Sequence, residues 1–379
     1  MKLFQCQNCG QPLYFENTRC ERCGLVLGYL PELETITALK PDGNAPNASP
    51  QIWRALADNK AYRHCANAAY DVCNWLVPAS TEDAYCAACR HNRMIPDLSF
   101  AENVKKWRDL EGAKHRLFYT LFQLRLPVET QAESPNGLAF EFLADVGTSG
   151  SPIMTSHADG VITISLAEAD DAERERRRHQ MGELYRTLLG HFRHEIGHYY
   201  WDRLIADAPQ LEDFRRIFGD ERQDYDQALQ NYYANGPAGD WSEHFISPYA
   251  SAHPWEDFAE TWAHYFHMID TLEAAYVAGL AVSPKLPQSP GAVFNFHPLN
   301  TDMDRLVEAW LALTFAVNSI NRSMGLQDLY PFVLGPLAVE KLTFVQKQIR
   351  AASRPATKGG RDTNLRNSAQ GRPLRAETA

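Results

Sequence analysis

Hydrophobic residues recur at helical spacing over most of the chain after residue 97. The segment "NVKKWRDLEGAKHRLFYTLFQL" (103–124) repeats apolar residues every three or four positions, which predicts an amphipathic helix. The same spacing predicts further helices around 171–207, 211–233, 254–280 and 302–352. The first of these is expected to break near Gly182 or Gly190.

Two short segments alternate apolar and polar residues and therefore predict β-strands. They are "LAFEFLAD" (138–145) and "VITISL" (161–166), and Asp159-Gly160 before the second is a turn signal. Together with the helices they predict an α+β fold, a mainly helical domain with a small β-sheet over 96–352. The tail 353–379 is polar and almost free of large apolar residues, so we expect it to be disordered.

Composition limits the classes of partner. The chain has 379 residues, 45% hydrophobic and 22% charged, which is ordinary for a soluble globular protein. Its net charge of -10 argues against a general nucleic-acid binder, because such proteins need basic surface. The N-terminus lacks the apolar run of a signal peptide, and no stretch of ~18 apolar residues predicts a membrane span. We therefore expect a cytoplasmic protein with no membrane partner.

All eight cysteines lie in the first quarter of the chain, and in a reducing compartment they favour metal binding over disulfides. "CQNCG" (6–10) and "CERCG" (20–24) are a matched pair of metal-binding knuckles, in which each final glycine permits the positive φ of a tight turn. A redox CxxC is the competing interpretation, but redox motifs seldom come as matched pairs. Residues 1–30 are therefore predicted to be a zinc ribbon with the ligands Cys6, Cys9, Cys20 and Cys23.

A second, looser cysteine set follows a Pro/Asn/Gly-rich linker, "KPDGNAPNASPQ" (40–51). Its spacing favours a second structural zinc module within 31–95, although His64 or His91 could replace one cysteine. The alternative is buried thiols with a chance CxxC. The predicted ligands are Cys65, Cys73, Cys86 and Cys89.

The segment "HFRHEIGHYYW" (191–201) contains a His-Glu-x-x-His motif. On a helix, His194 and His198 project side by side and can bind one metal ion. Glu195 lies about 100° around the helix, where it could contact a water on the metal without binding the metal itself. The alternative is a chance spacing on a packed helix. His191 could also chelate with His194, but a flanking role is favoured.

A catalytic zinc needs a third protein ligand and one open position. The metzincin extension is excluded, because Trp201 and Leu204 stand where its glycine and histidine would be. A later predicted helix, "HPWEDFAETWAHYFHM" (253–268), offers carboxylates instead.

Glu256, Glu260 and His264 share one face of that helix at i,i+4 steps, whereas Asp257 points about 100° away. A carboxylate on the metal, with an acid one turn later hydrogen-bonded to a ligating histidine, is a common arrangement. It assigns Glu256 to the metal and Glu260 to the hydrogen bond with a ligating histidine, with His264 as the rival ligand.

These motifs together resemble a bacterial family of zinc-dependent metallopeptidases fused to N-terminal zinc ribbons, over residues 1 to about 350. The HEIGH motif and the later "WEDFAE" are also similar to the catalytic centre of anthrax lethal factor, a gluzincin, although nothing resembles that protein's other domains or substrate groove. The resemblance implies a zincin-like metallopeptidase domain with His194, His198 and Glu256 on the catalytic zinc and Glu195 as general base. Tyr249, seven residues before the glutamate ligand, would belong to the same site.

The function implied is hydrolysis of a peptide or protein substrate, with one catalytic and two structural zinc ions as cofactors. Tyr249 would donate a hydrogen bond to the developing oxyanion. Zincins line the cleft with an edge strand, for which "VITISL" is the candidate; the alternative is an ordinary internal strand. Other candidate donors to the oxyanion are His244, His253, His264 and His267.

Two other functions remain open. The ribbons could bind a protein, or less expectedly nucleic acid, next to a catalytically silent zincin fold. The metal site could also hydrolyse a non-peptide amide. Glu195 favours an enzyme, because a metal site without catalysis does not need that base.

Overall fold

The computed structural model describes residues 2–43, 50–144, 155–181, 186–286, 288, 291–353 and 375–376. It confirms the α+β class, with helices predominating and several small sheets. None of the described helices is long and apolar enough to cross a membrane.

The N-terminal region consists of a small hairpin and a curled antiparallel sheet. The hairpin pairs β1 (Phe4–Gln5) with β2 (Pro12–Leu13). The sheet has the order β3-β4-β5-β6-β7, formed by Val26–Leu30, Thr35–Pro41, Trp53–Ala55, Ala61–His64 and Leu76–Pro78. The sheet curls so that its first strand meets the residues before its last strand: Tyr29 N of β3 donates to Asn74 O, just before β7, at 2.9 Å.

The two cysteine modules expected from the sequence therefore share one sheet. The boundary expected after residue 30 falls in the connection between the paired strands β3 and β4. Part of the expected linker, 44–49, lies outside the described residues. Of the rest, 40–41 belong to β4, and 42–43 and 50–51 lie between β4 and β5.

A second five-stranded sheet belongs to the helical region, in the order β10-β11-β9-β8-β14. Its strands are, in chain order, Asn92–Ile95 (β8), Ala139–Leu143 (β9), Ser156–Ala158 (β10), Val161–Ser165 (β11) and Arg375–Ala376 (β14). The strands predicted in 138–145 and 161–166 are confirmed as β9 and β11. Apart from that last pair of residues, the tail after Ser353 lies outside the described part of the chain, so its disorder stays a prediction.

The assignment of "VITISL" as the edge strand is wrong. It forms β11, which pairs on one side with β9 and on the other with β10. The Asp159-Gly160 turn, with positive φ at both residues, folds β10 back antiparallel onto β11. Among the strands that the structure describes, the three-residue strand β10 therefore forms this edge of the sheet.

The helices follow the predicted pattern. The region 103–124 lies in α1 (Ala101–Gln123), and the long pattern in 171–207 divides between α2 (Asp171–Met181) and α3 (Leu188–Leu204). The break lies between the end of α2 at Met181 and the start of α3 at Leu188, and residues 182–185 within it are outside the described part of the chain. Gly190, the other position at which a break was expected, is inside α3. The later helices are Leu211–Phe218 (α4), Tyr225–Asn235 (α5), Trp241–His244 (α6), Pro254–Val277 (α7), Met303–Ser323 (α8) and Pro336–Ala352 (α9), with a small hairpin of Ala281–Val282 (β12) and Ala292–Val293 (β13) before α8.

The close crossing of α3 and α7 positions the candidate site. A Cβ atom on Gly197 would lie only 2.8 Å from the Cα of Ala259, so the two backbones approach where only glycine fits. One turn along α3, Tyr200 stacks on Trp262 of α7 with ring centroids 5.0 Å apart. This contact sets the face of α3 that carries His194 against the start of α7.

Candidate metal centre

Three ligand atoms from α3 and α7 converge at the crossing of the two helices. Nε2 of His194 and Nε2 of His198 are 3.1 Å apart. Oε2 of Glu256 lies 2.9 Å from the first nitrogen and 3.5 Å from the second. All three residues are nearly buried.

These distances and donor types fit a zinc ion. Bonds of about 2.0–2.1 Å in tetrahedral geometry separate neighbouring ligand atoms by roughly 3.3 Å. Oε2 of Glu256 is buried without a hydrogen-bond partner among the described residues, which a cation would satisfy. Although burial disfavours an imidazolium, the carboxylates of Glu256 and Glu260 beside the ring hold the pKa of His194 well above its usual range. The site therefore concentrates negative charge at the position where a cation would bind.

A second layer of contacts holds the ligands in place. Oε1 of Glu260 lies 2.8 Å from Nδ1 of His194, which orients Nε2 of that ring toward the other ligand atoms. Ser247 Oγ donates to the other oxygen of Glu260 at 2.6 Å. Tyr225 OH donates to Oε1 of Glu256 at 2.5 Å, leaving Oε2 to face the histidines. No motif in the sequence points to Tyr225, which lies on α5 and is 31 residues from its partner.

Glu195 and Tyr249 line a cavity of about 170 Å³, and of the three ligand residues His194 also lines it. The ring of Tyr249 lies 5.9 Å from that of His194, measured between centroids. Burial, together with the charge of Glu256, raises the pKa of Tyr249 well above its usual range. Its phenol therefore stays protonated and can donate a hydrogen bond.

The rival ligands face other partners. His264 Nδ1 lies 2.7 Å from Tyr330 OH, and His264 does not join the three converging groups. Asp257 turns away from the site, 2.6 Å from Lys341 Nζ of α9. Nδ1 of His191 lies 3.1 Å from the carboxylate of Glu168.

The other candidate oxyanion donors are dispersed. His264 and His267 line the cavity, and His267 also lies 2.5 Å from a guanidinium nitrogen of Arg193. His253 caps α7 by accepting from Trp255 N, and His244 is on the surface near Asp240.

The first cysteine cluster has the geometry of a tetrahedral thiolate site. The Sγ atoms of Cys6 and Cys23 are 3.7 Å apart, and those of Cys9 and Cys20 are 3.6 Å apart. Zinc–sulfur bonds of about 2.3 Å predict a separation of roughly 3.8 Å. The positive φ expected of Gly10 and Gly24 is confirmed, at 74° and 73°.

The second set of cysteines also converges. The Sγ atoms of Cys73 and Cys86 are 3.7 Å apart, and four buried thiols form the group, namely Cys65, Cys73, Cys86 and Cys89. Neither histidine considered as a replacement joins them: His64 contacts Leu27 O and His91 contacts Leu138 O. A different histidine, His115 of α1, lies against two of the thiols.

Comparisons with known proteins match two protein families to successive parts of the chain. Residues 103–348 match a protein family described as "putative zinc-binding metallo-peptidase", and residues 3–100 match a zinc-ribbon domain family. Uncharacterized proteins of Mycobacterium bovis and Mycobacterium tuberculosis are 41% identical over 348 residues, covering 91% of this chain and 94% of theirs. No solved structure matches.

Proposed function

Because the chain belongs to this zinc-binding metallo-peptidase family, we propose that it hydrolyses peptide bonds at a zinc ion bound by His194, His198 and Glu256. The arrangement would be of the gluzincin type, with two histidines from one helix and a glutamate from a later one. The two cysteine clusters would each hold a structural zinc, giving three ions per chain.

The convergence of two imidazole nitrogens and one buried carboxylate oxygen on a single point carries this proposal. Glu195 lines the same cavity as His194 and is not one of the three converging ligands. A three-ligand set with an open side and a neighbouring carboxylate is what a hydrolytic zinc site requires, whereas a structural site would be closed.

Bound zinc would supply Lewis acidity, polarising the scissile carbonyl and lowering the pKa of a water ligand towards ~7. Glu195 would accept a proton from the attacking water and transfer it to the leaving nitrogen. Tyr249, held protonated, would donate a hydrogen bond to the developing oxyanion.

A peptide substrate would bind along β10, the edge strand beside the site. His157 of β10 packs near Trp255, with ring centroids 6.5 Å apart, and Trp255 in turn stacks on His198 at 3.7 Å. A peptide that pairs with β10 as a further strand would therefore pass close to His198 of the proposed zinc site.

Proteome-wide N-terminal profiling of cells that produce the parent chain or Glu195→Gln tests the proposal. The variant should keep its zinc and its fold, because Glu195 acts on the water and does not bind the metal. New protein N-termini that depend on Glu195 would support a peptidase. Identical profiles from two zinc-loaded proteins would instead favour a catalytically silent fold that serves the ribbons as binding modules.

A further inference from the structure

His115 places its imidazole against the second cysteine cluster. Its Nε2 lies 3.4 Å from Cys73 Sγ and 3.6 Å from Cys89 Sγ. The residue is buried on α1, in the peptidase region, and its ring lies 5.1 Å from that of Trp75. The peptidase region thus contributes a side chain to a metal site whose cysteines all belong to the ribbon region.

A buried four-thiolate zinc site needs such donors. Four thiolates and one Zn²⁺ leave a net charge of about −2, which is costly to bury without hydrogen bonds. Backbone N–H groups reach three of the sulfurs at 3.4 Å, from Trp75 to Cys73, from Cys86 to Cys65 and from Cys89 to Cys86. Among the described residues, His115 Nε2 is the nitrogen donor that reaches the fourth sulfur, that of Cys89.

The first cluster differs in just this respect. Cys9 and Cys23 are partly exposed, so water can solvate their thiolates, whereas all four cysteines of the second cluster are buried. Within the described part of the chain, no histidine joins the first cluster. The first cluster is therefore an internal control for the role of His115.

A separate metal ion bound by Cys89, Glu111 and His115 is the competing explanation, because their ligand atoms also lie close together. Lys114 opposes it. Its ammonium is fully buried and lies 2.9 Å from Oε2 of Glu111, where it already supplies the positive charge that the carboxylate needs. Oε1 of Glu111 also accepts from Asn92 Nδ2 at 2.6 Å. A divalent ion at Glu111 would face that ammonium in a low-dielectric interior.

We propose that His115 is part of the second zinc site, where it donates a hydrogen bond from Nε2 to the thiolates of Cys73 and Cys89. Thiolate sulfur can only accept, so the nitrogen is the donor. Hydrogen bonds to ionised acceptors are roughly twice as strong as neutral ones. His115 therefore acts as a positioning residue that fastens the ribbon to α1 and slows loss of zinc from the second site.

Three substitutions in the zinc-loaded full chain test this role. His115→Phe and His115→Met remove the donor, whereas His115→Gln keeps an N–H group. His64→Gln is the matched control, since His64 adjoins Cys65 in sequence but contacts Leu27 O instead of sulfur. The readouts are zinc transfer to a colorimetric chelator and the sulfur-to-metal charge-transfer band after cobalt substitution.

Removing the donor should weaken zinc binding at the second site ~10–100-fold, the loss typical when a hydrogen-bond partner of a metal ligand is removed, and so speed zinc transfer to the chelator, while the first site is unchanged. The charge-transfer band should shift to lower energy, because the thiolates lose a hydrogen bond. His115→Gln should remain closer to the parent, as should His64→Gln. If one donor-free variant fails to fold, the other and the glutamine variant still give the comparison.

Unchanged zinc release and an unchanged band in a folded donor-free variant would overturn the proposal. So would His115→Gln behaving like His115→Phe, because the N–H group would then be irrelevant. A fourth zinc per parent chain that disappears with His115 would show that the histidine is a ligand of a separate ion. None of these readouts depends on peptidase activity.

Discussion

Replacing Gly197 with alanine tests how the crossing of α3 and α7 builds the metal site. The added Cβ would lie 2.8 Å from Ala259 Cα and 3.2 Å from Trp262 Cβ. Carbon atoms pack at about 3.5–4.0 Å, so α7 would have to move by roughly 1 Å. Glu256 lies one turn before Ala259 on α7, so its carboxylate would move with the helix.

Two opposing effects set the stability of Gly197→Ala. Overpacking costs about 1–3 kcal/mol, whereas alanine in a helix gains up to about 1 kcal/mol over glycine. The net loss should be about 0–3 kcal/mol, less than the stability of about 5–15 kcal/mol of a typical domain, so most of the protein stays folded. The affinity for the catalytic zinc should fall more than the stability does, because metal–ligand distances tolerate changes of only ~0.2 Å. We expect catalytic zinc to bind at least ~10-fold more weakly.

Zinc titration and denaturant unfolding of Gly197→Ala check these values, with Gly112→Ala as the matched control. Gly112 lies inside α1, and a Cβ there would meet nothing within 4 Å. The control should be stabilised by up to about 1 kcal/mol without any change in zinc affinity. The reasoning is refuted if both variants are stabilised alike and both keep the parent's affinity for the catalytic ion.

Three further outcomes are expected. Tyr225→Phe should weaken catalytic zinc binding ~10-fold in a metal titration, because Oε1 of Glu256 loses its 2.5 Å hydrogen bond; unchanged affinity would remove Tyr225 from the site. Glu260→Ala should weaken it ~10–100-fold by freeing the His194 ring, and parent-like binding would count against that contact. Elemental analysis should give about three zinc ions per chain, and a value near one would refute the assignment of zinc to both cysteine clusters. A chelator should take the catalytic ion first, because an open three-ligand site is weaker than a closed thiolate site.

The parts of the structure that could be predicted from the sequence depend on local spacing. The two CxxCG knuckles each lie within five residues, so their glycine conformations followed directly. The His-x-x-x-His spacing fixes a shared helix face whatever the tertiary fold. The same periodicity located α1 and the break between α2 and α3.

Contacts between segments that lie far apart in the chain cannot be predicted from local spacing. His115 lies 26 residues after Cys89, on a helix whose amphipathic pattern is explained by packing alone. Tyr225 belongs to no motif, and its contact with Glu256 depends on where the tertiary fold places α5 relative to α7. The edge strand β10 has only three residues, too few to show an alternating pattern, so the sequence pattern predicts β11 as the edge instead.

Metal titration of Glu256→Ala beside His264→Ala is the measurement that tests the central claim most directly. Both residues are buried on one face of α7, so the pair separates metal binding from general disruption of the helix. Glu256→Ala should lose the catalytic zinc while keeping the two ions of the cysteine clusters, and His264→Ala should bind all three nearly as the parent does. Loss of the catalytic ion from His264→Ala, with retention in Glu256→Ala, would contradict the account and indicate a three-histidine site.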